Sequence, residues 1–327
     1  MPSPNATFTE LVSTTFRNHS KEITDNVSRH TALLMRMKKR GNIKTESGGL
    51  TITKPLDYAE NATYQRYSGF DVLNVGQSDV ISAAEYQWRQ IAVNVVASGR
   101  ELRINSGSAK IVDLVKARIK NAMRTFNNNF STDIYSDGSL SNQINGLQAL
   151  VSDAGTGTVG GIVSGTFTFW KNKVQSAAAP LQGGGAITPS ATTIESLMLP
   201  LWLAQTRNQD APDLIVADST YFTFYEVSQT SIKRYTSTSE GEGNKANGGF
   251  ISLKYKNADV VYDGSDIPAA HMYFLNTDYI ELVAHSEANV TLMDEMKPYN
   301  QDGVVMPVLW MGNMVVTNRA LQGVLKA

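Results

Sequence analysis

Residues Gly155-Thr156-Gly157-Thr158-Val159-Gly160 satisfy the spacing G-x-G-x-x-G, in which glycines let a backbone approach a pyrophosphate at a helix N-terminus. That chemistry needs a strand before the glycines, a helix after them and an acid ~20 positions on. Here Gly161-Ile162-Val163-Ser164-Gly165 and then the β-like Thr166-Phe167-Thr168-Phe169-Trp170 follow. Near residue 180 the chain reads Ala178-Ala179-Pro180-Leu181, with no acid. The stretch reads as a glycine-rich loop, and no cofactor is expected there. His19, His30, His271 and His285 stand at no metal-ligand spacing, and the chain has no cysteine. Neither a metal site nor thiolate chemistry is expected. His271 precedes Met272-Tyr273-Phe274, the setting of a packed histidine. Asp213, Asp218, Asp263 and Asp266 stand beside Pro, Ser or Gly and read as turn and cap residues. No two carboxylates form a recognisable acid/base pair. The sequence therefore predicts no catalytic, cofactor-binding or metal-binding residue and a protein that is not an enzyme; a soluble enzyme with a glycine-rich cofactor loop is the disfavoured alternative.

The elements that would position such residues are more informative than the residues. From Leu50 the apolar side chains alternate as Leu50, Ile52, Leu56 and Tyr58, the period of a strand with one wet face. A polar, turn-rich stretch covers 61–82, and a second alternating run carries Tyr86, Trp88, then Ile91, Val93 and Val95. The phase slips between Trp88 and Ile91, as a bulge would make it do. After Ser106-Gly107-Ser108 the period becomes 3.6, with Ile111, Leu114, Val115, Ala122, Met123, Phe126 and Phe130 on one stripe. The prediction is a long hairpin followed by a helix over 110–134. Strands of about 15 residues would be on the order of 50 Å long, and that helix about 37 Å. A compact chain of 327 residues has a radius of gyration of roughly 20 Å. A lone two-stranded ribbon is marginal in water, so this one needs a surface to lie on, either its own core or a neighbouring copy.

Charge adds a polarity to this picture. Net charge is −1, and 18% of residues are charged, against the usual ~25%. Up to Lys44 there are eight Lys/Arg against Glu10, Glu22 and Asp25, whereas residues 55–82 hold Asp57, Glu60, Asp71 and Asp79 against Arg66 alone. Opposite arms of assembled copies would attract, setting register and partner choice. The candidate inter-subunit contacts are therefore Tyr58, Glu60, Tyr64, Arg66, Tyr67, Phe70, Asp71 and Asp79 on the hairpin, and Arg36, Lys38, Lys39 and Arg40 on a basic helix end. Tyr64, Tyr67 and Phe70 near the apex form the kind of exposed apolar cluster that marks an interface. No run approaches ~18 apolar residues, so no membrane span is expected, and the N-terminus lacks the pattern of a signal peptide.

Elsewhere, Thr7-Phe8-Thr9-Glu10 reads as a capping box opening a helix through Phe16. A second helix runs from Lys21 or Glu22 to about Arg40, with Gly41 as its left-handed cap. Thr192-Thr193-Ile194-Glu195 reads as another capping box, on a leucine-rich helix that Pro200 should kink. A buried strand over 214–217, a helix over 218–233 and a polar loop over 237–249 follow. Short strands are expected around 250–254, 259–262, 271–275 and 280–283. The tail alternates through Val304, Met306, Val308 and Trp310 and ends in a strand over 314–317.

The order of these elements resembles the major capsid proteins of tailed bacteriophages, with the Hong Kong 97-type fold. Three stretches carry the resemblance locally: Val95-Val96-Ala97-Ser98-Gly99-Arg100-Glu101-Leu102, Ala211-Pro212-Asp213-Leu214-Ile215-Val216, and Phe274-Leu275-Asn276-Thr277-Asp278. It covers most of the chain and rests on layout plus these stretches. It implies an α+β chain with an N-terminal arm (1–45), an extended β-hairpin loop (46–104), a peripheral domain with a long spine helix (105–146 and 299–327) and an α/β apical domain (147–298). It further implies a shell subunit that assembles with itself into hexamers and pentamers, as an icosahedral capsid around double-stranded DNA. Portal, scaffolding and decoration proteins would be partners, any DNA contact would be weak and non-specific, and the virion, assembled in host cytoplasm, would be the location. Bacterial encapsulins share this fold and supply the alternative of a cargo-holding compartment. Some capsid proteins cross-link through a lysine in the extended loop; residues 58–86 contain no lysine and Lys54 lies near the base, so no cross-link is expected.

Overall fold

The computed structural model describes residues 31–104, 114–229, 252–264 and 266–327. The expected helix from Thr7 to Phe16, the start of the second helix, residues 110–113 of the expected spine helix and the polar loop over 237–249 lie outside these residues.

One long strand organises the first of two main sheets. Strand β14 (Gly303–Val316) pairs antiparallel with β4 (Arg89–Ser98) along the whole of β4, from Gly303↔Ser98 to Gly312↔Arg89. Its opposite edge pairs with β13 (Thr291–Leu292) and then with β12 (Ile280–His285). Strand β1 (Ile43–Glu46) completes this five-stranded sheet, parallel to β12. A six-stranded sheet holds, in order, β7 (Lys173–Ser176), β15 (Gly323–Lys326), β11 (His271–Leu275), β8 (Leu214–Ala217), β10 (Ala258–Tyr262) and β9 (Ser252–Tyr255).

Helices cover both sheets. In α3 (Leu114–Ile134) the buried residues Ala122, Phe126, Phe130 and Ile134 recur every fourth position, so one stripe faces the strands. Phe130 meets Trp310 of β14 edge to face, with ring centroids 4.9 Å apart. Met123, expected on that stripe, sits at its exposed margin. Helices α5 (Ile194–Gln205) and α6 (Ser219–Ser228) bury Ile194, Leu197, Leu201, Tyr221 and Tyr225 against Ile215, Phe274 and Leu325. Helix α5 continues past Pro200. Its Glu195 does not close a capping box; it accepts hydrogen bonds from Ser228, the last residue of α6, and from Gln229, which caps it. Helix α1 (Ala32–Arg40) ends at Gly41, whose φ of 72° is the expected left-handed cap. Two short helices, α2 (Gly99–Ile104) and α4 (Leu147–Leu150), bracket α3 in the chain.

The hairpin is shorter than the alternation predicts. Strands β2 (Ile52–Asp57) and β3 (Ile81–Tyr86) pair only from Ile52↔Tyr86 to Asp57↔Ile81, about 20 Å of ladder. The phase slip after Trp88 is not a bulge: the chain leaves the hairpin there and enters the five-stranded sheet as β4. Leu50 lies outside the strand, 95% exposed. Ile52, Leu56, Ala84 and Tyr86 belong to the same core as Leu282, Trp310 and Met314 of one sheet and Val216, Tyr273 and Val324 of the other, so the hairpin base is anchored in the body.

Three further expectations differ from the structure. Residues 166–170 are not extended; they end in a 3-10 turn, Thr168–Trp170, because the buried Trp170 indole donates back to the Val159 carbonyl at 2.9 Å. The tail does not end at 317: β15 crosses into the six-stranded sheet, between β7 and β11. Likewise 280–285, counted with the span 147–298, sits in the five-stranded sheet, so the sheets do not divide at 298/299.

The glycine-rich stretch forms a small hairpin, β5 (Thr158–Val159) and β6 (Ile162–Val163). Gly160 at its turn has φ +57°, and a Cβ there would meet Ala84 Cβ at 2.8 Å, so the close approach to β3 needs glycine. The cation beneath this stretch is Arg319, fully buried (0% exposed). Its Nε donates to Leu150 O at 2.7 Å, and its Nη atoms donate to Ser164 Oγ, Trp170 O, Ser152 Oγ and Thr156 O at 3.1–3.5 Å. Burial lowers its pKa to about 10, which leaves it charged at neutral pH. Arg319→Met would strand several buried acceptors at about 1–3 kcal/mol each. The urea midpoint of this variant should fall by the equivalent of about 3 kcal/mol or more; an unchanged midpoint would refute the role assigned to Arg319.

Candidate assembly surface

The loop joining β2 to β3, residues 58–80, forms no strand and is held by side chains bonding to backbone. Asn61 Oδ1 accepts from Thr63 N at 2.9 Å, Asp71 Oδ2 from Ser68 N at 2.8 Å, and Gln65 Oε1 from Asn74 N at 3.1 Å, while Gln65 Nε2 donates to Val72 O at 3.0 Å. Polar side chains are thus used to shape the loop, and the apolar ones are left outside. Tyr64 is 81% exposed, Tyr67 66%, Phe70 107%, Val72 92% and Val75 92%. Such a run of bare apolar side chains is unusual for a free surface. Val72, Leu73 and Val75 were missed by the sequence reading, although their spacing beside Phe70 was visible. Glu60, Arg66 and Asp79 are exposed on the same loop. Tyr58 stands apart from them: half-buried at the base, its ring lies 5.8 Å from that of Phe169.

The basic helix end divides into two pairs. Arg36 turns inward: its Nε donates to Asp213 Oδ2 at 3.0 Å and its Nη1 to Asp259 Oδ2 at 3.1 Å. Arg40, one turn on, reaches Asp213 Oδ2 at 3.0 Å and also pairs with Asp278. Their charges are engaged within the chain, whereas Lys38 and Lys39 are exposed. Asp213, read from sequence as a turn residue, is the hub: Thr277 N and Thr277 Oγ1 also donate to it, both at 2.7 Å. The signal for it was two arginines at i and i+4 on one helix face. At the other end of α1, Asp263 Oδ2 accepts from Ala32 N at 2.7 Å and from the Tyr135 hydroxyl, capping the helix from a distance. Burial raises the pKa of Asp263.

A second ionic cluster fixes the hairpin base. Lys54 Nζ lies 2.7 Å from Glu46 Oε1 and 3.1 Å from Glu281 Oε2, and Lys44 also pairs with Glu281. Burial pulls the Lys54 ammonium down, but its bonds to the two glutamates outweigh that and hold its pKa above the ordinary value. Burial likewise pushes Glu281 up, and its two lysines more than reverse the effect. At the end of β4, Arg118 Nη1 donates to Glu101 Oε2 at 3.0 Å and to Val96 O at 2.7 Å. The Arg118 bond, with help from Ser98 N, lowers the Glu101 pKa from 4.5 to about 2. His271 is packed as expected, with Nε2 2.9 Å from Asp153 Oδ2 and its ring beside Tyr273. Among the described residues no three His, Asp or Glu side chains gather as a metal site, and no helix is long and apolar enough to cross a membrane.

No protein-family model and no curated protein matches the sequence. Solved structures do match the fold. The cyanophage A-1(L) capsid asymmetric unit aligns with a TM-score of 0.67 at 16% identity, over 94% of this chain and 96% of that one. The capsid of the native GTA particle aligns at 0.56 and 14% identity, over 95% of each chain. The holo-SrpI encapsulin complex from Synechococcus elongatus PCC 7942 aligns at 0.58 and 9% identity, over 98% of this chain and 95% of that one. The mixed α/β architecture is therefore the phage capsid fold, which encapsulin shares.

Two tests follow from the ionic contacts. Asp213→Asn leaves one acceptor oxygen for Thr277 and removes the charge that Arg36 and Arg40 share, leaving each a single carboxylate, Asp259 and Asp278; it should lower the unfolding midpoint, and an unchanged midpoint would show that the clasp contributes nothing. Glu101 has its folded pKa below its unfolded one, so its contribution is present above about pH 4.5 and is lost as pH falls toward 2. Glu281 acts in the same direction, and Asp263, with a raised pKa, acts in the opposite one. Glu101→Gln should therefore be less stable than the parent at pH 6 and flatter in its acid-side stability profile, measured by denaturant unfolding across pH; parallel profiles would refute the assignment.

Proposed function

We propose that this chain is a major capsid protein, a structural subunit that assembles with itself into an icosahedral shell enclosing double-stranded DNA. The observation that carries this is the pairing of a capsid fold over nearly the whole chain with a hairpin loop whose apolar side chains have nothing to pack on among the described residues. Apolar surface of this kind is stabilised by burial against a neighbour. In this reading the layout is of the Hong Kong 97 type: residues 1–45 form the arm, 46–104 the extended loop, 105–146 with 299–327 the peripheral domain around the spine helix α3, and 147–298 the apical domain. The sheet membership of β12 and β15 refines those spans. Tyr64, Arg66, Tyr67, Phe70, Asp71 and Asp79 on the loop, with Glu60 and Tyr58 nearer its base, meet the adjacent subunit in hexamers and pentamers. On the helix end the contact falls to Lys38 and Lys39, since Arg36 and Arg40 are engaged within the chain. Portal, scaffolding and decoration proteins are further partners, DNA contact is weak and non-specific, and the location is the virion, assembled in host cytoplasm.

Encapsulin is the second reading, favoured by the alignment with the Synechococcus complex. Nuclease-protected DNA in particles purified from the native source would support the capsid reading; a co-purifying enzyme cargo and no DNA would favour the other. Deleting residues 60–79 should leave a folded, soluble subunit that no longer forms particles by light scattering, and normal particles from the deletion would refute the loop's role. Lys54 is tied to Glu46 and Glu281, which supports shells without covalent links; boiled particles should run as monomer on SDS gels, and ladders of covalent oligomers would contradict this.

A further inference from the structure

We propose that the tip of one copy's hairpin docks through Arg66 into the cleft at the hairpin base of the next copy. This deepens the shell reading and rests on it. The cleft measures about 470 Å³ and lies where the hairpin leaves the body, within the ~300–1,000 Å³ of sites that enclose ligand-sized groups. Asp57, Tyr58 and Glu60 form its hairpin wall, and Phe169, Arg207 and Tyr279 stand on the body side. The rings of Tyr58 and Phe169, tilted by 33°, give it an aromatic face. The Tyr279 hydroxyl is committed to Asp210 Oδ2 at 3.0 Å. The carboxylates of Asp57 and Glu60 join no ion pair among the described residues.

Arg66 is complementary in charge to the hairpin wall of this cleft, where Asp57 and Glu60 outnumber the one cation opposite them, Arg207. It is the lone cation of residues 55–82, is exposed between Tyr64 and Tyr67, and joins no ion pair among the described residues. A guanidinium pairs with carboxylates and stacks on aromatic faces, and the cleft offers both. The other charges of the hairpin make the match selective. Asp57, Glu60, Asp71 and Asp79 would repel a neighbour's hairpin unless the one cation of the tip met its carboxylates. The tip and the cleft are different segments of the chain, so the contact can run head-to-tail from copy to copy. Repeated around an axis, such a contact closes a ring.

Because the chain has no cysteine, the test can be direct. Two single-cysteine variants, Ser68→Cys beside Arg66 and Ala59→Cys in the cleft, are given tags of different mass, mixed, assembled and treated with a short bismaleimide. The expected product is a heterodimer of intermediate mass that forms in particles and not in dissociated subunits. In parallel, Arg66→Glu should cut particle yield at least tenfold, and adding Glu60→Arg should restore it in part, because the 66–60 pair then has its charges exchanged while Asp57 is unchanged. Both positions are exposed, and circular dichroism checks that the variants fold. Particles without the heterodimer, or full assembly of Arg66→Glu, would overturn this docking and leave the shell reading intact. A parent chain that forms no particles under any assembly condition would overturn both.

Discussion

Strand β14 is the constraint on which the rest of the structure depends. Its first ten residues pair with β4 and its last five with β12, and the two partners lie on opposite edges. Through β4 it fixes the point where the hairpin leaves the sheet and the bed on which α3 lies. Through β12 it fixes β1 and the Lys44, Glu46, Lys54 and Glu281 cluster that holds the hairpin base. Gly312 sits where the two pairings meet. A Cβ there would fall 2.2 Å from Val283 O and 2.6 Å from the Trp310 ring, so only glycine lets the strand serve both edges.

From that strand outward, packing becomes progressively less self-sufficient. The two sheets share one core, and the hairpin base contributes Ile52, Leu56, Ala84 and Tyr86 to it. Beyond Tyr58 the ladder stops, and side-chain bonds from Asn61, Gln65 and Asp71 hold the loop in shape. Those bonds satisfy backbone groups but bury almost nothing. At roughly 25 cal/mol per Å² of apolar surface, leaving Phe70, Val72 and Val75 in water forgoes several kcal/mol that burial against another surface would supply. The ionic clasps work the other way. They use Arg36, Arg40 and Lys54 inside the chain, which keeps those cations from competing for partners outside it.

The sequence made the elements legible and their partners obscure. The 3.6 period of α3, the Gly41 cap and the buried strand Leu214–Ala217 follow from local pattern, and the structure has each. The exposed aromatics Tyr64, Tyr67 and Phe70 were legible because nothing nearby could cover them. The hairpin length was not: alternation has the same period in a free ribbon and in a sheet, so β3 and β4 looked like one strand. Only the slip at Trp88 recorded the change of partner. The ion pairs were hidden by distance, since Arg36 meets Asp213 across 177 positions. Arg319 was hidden for the same reason, because a cation beneath a glycine-rich stretch leaves no mark in the local pattern of either segment.

The central claim is that burial missing from one copy is completed by another. Electron cryo-microscopy of the purified, concentrated chain tests it most directly. The account predicts closed shells or capsomer rings in which Tyr64, Tyr67, Phe70, Val72 and Val75 lie against the adjacent subunit. A folded, monodisperse monomer at high concentration, or shells whose hairpin tips stand free in solvent, would contradict it.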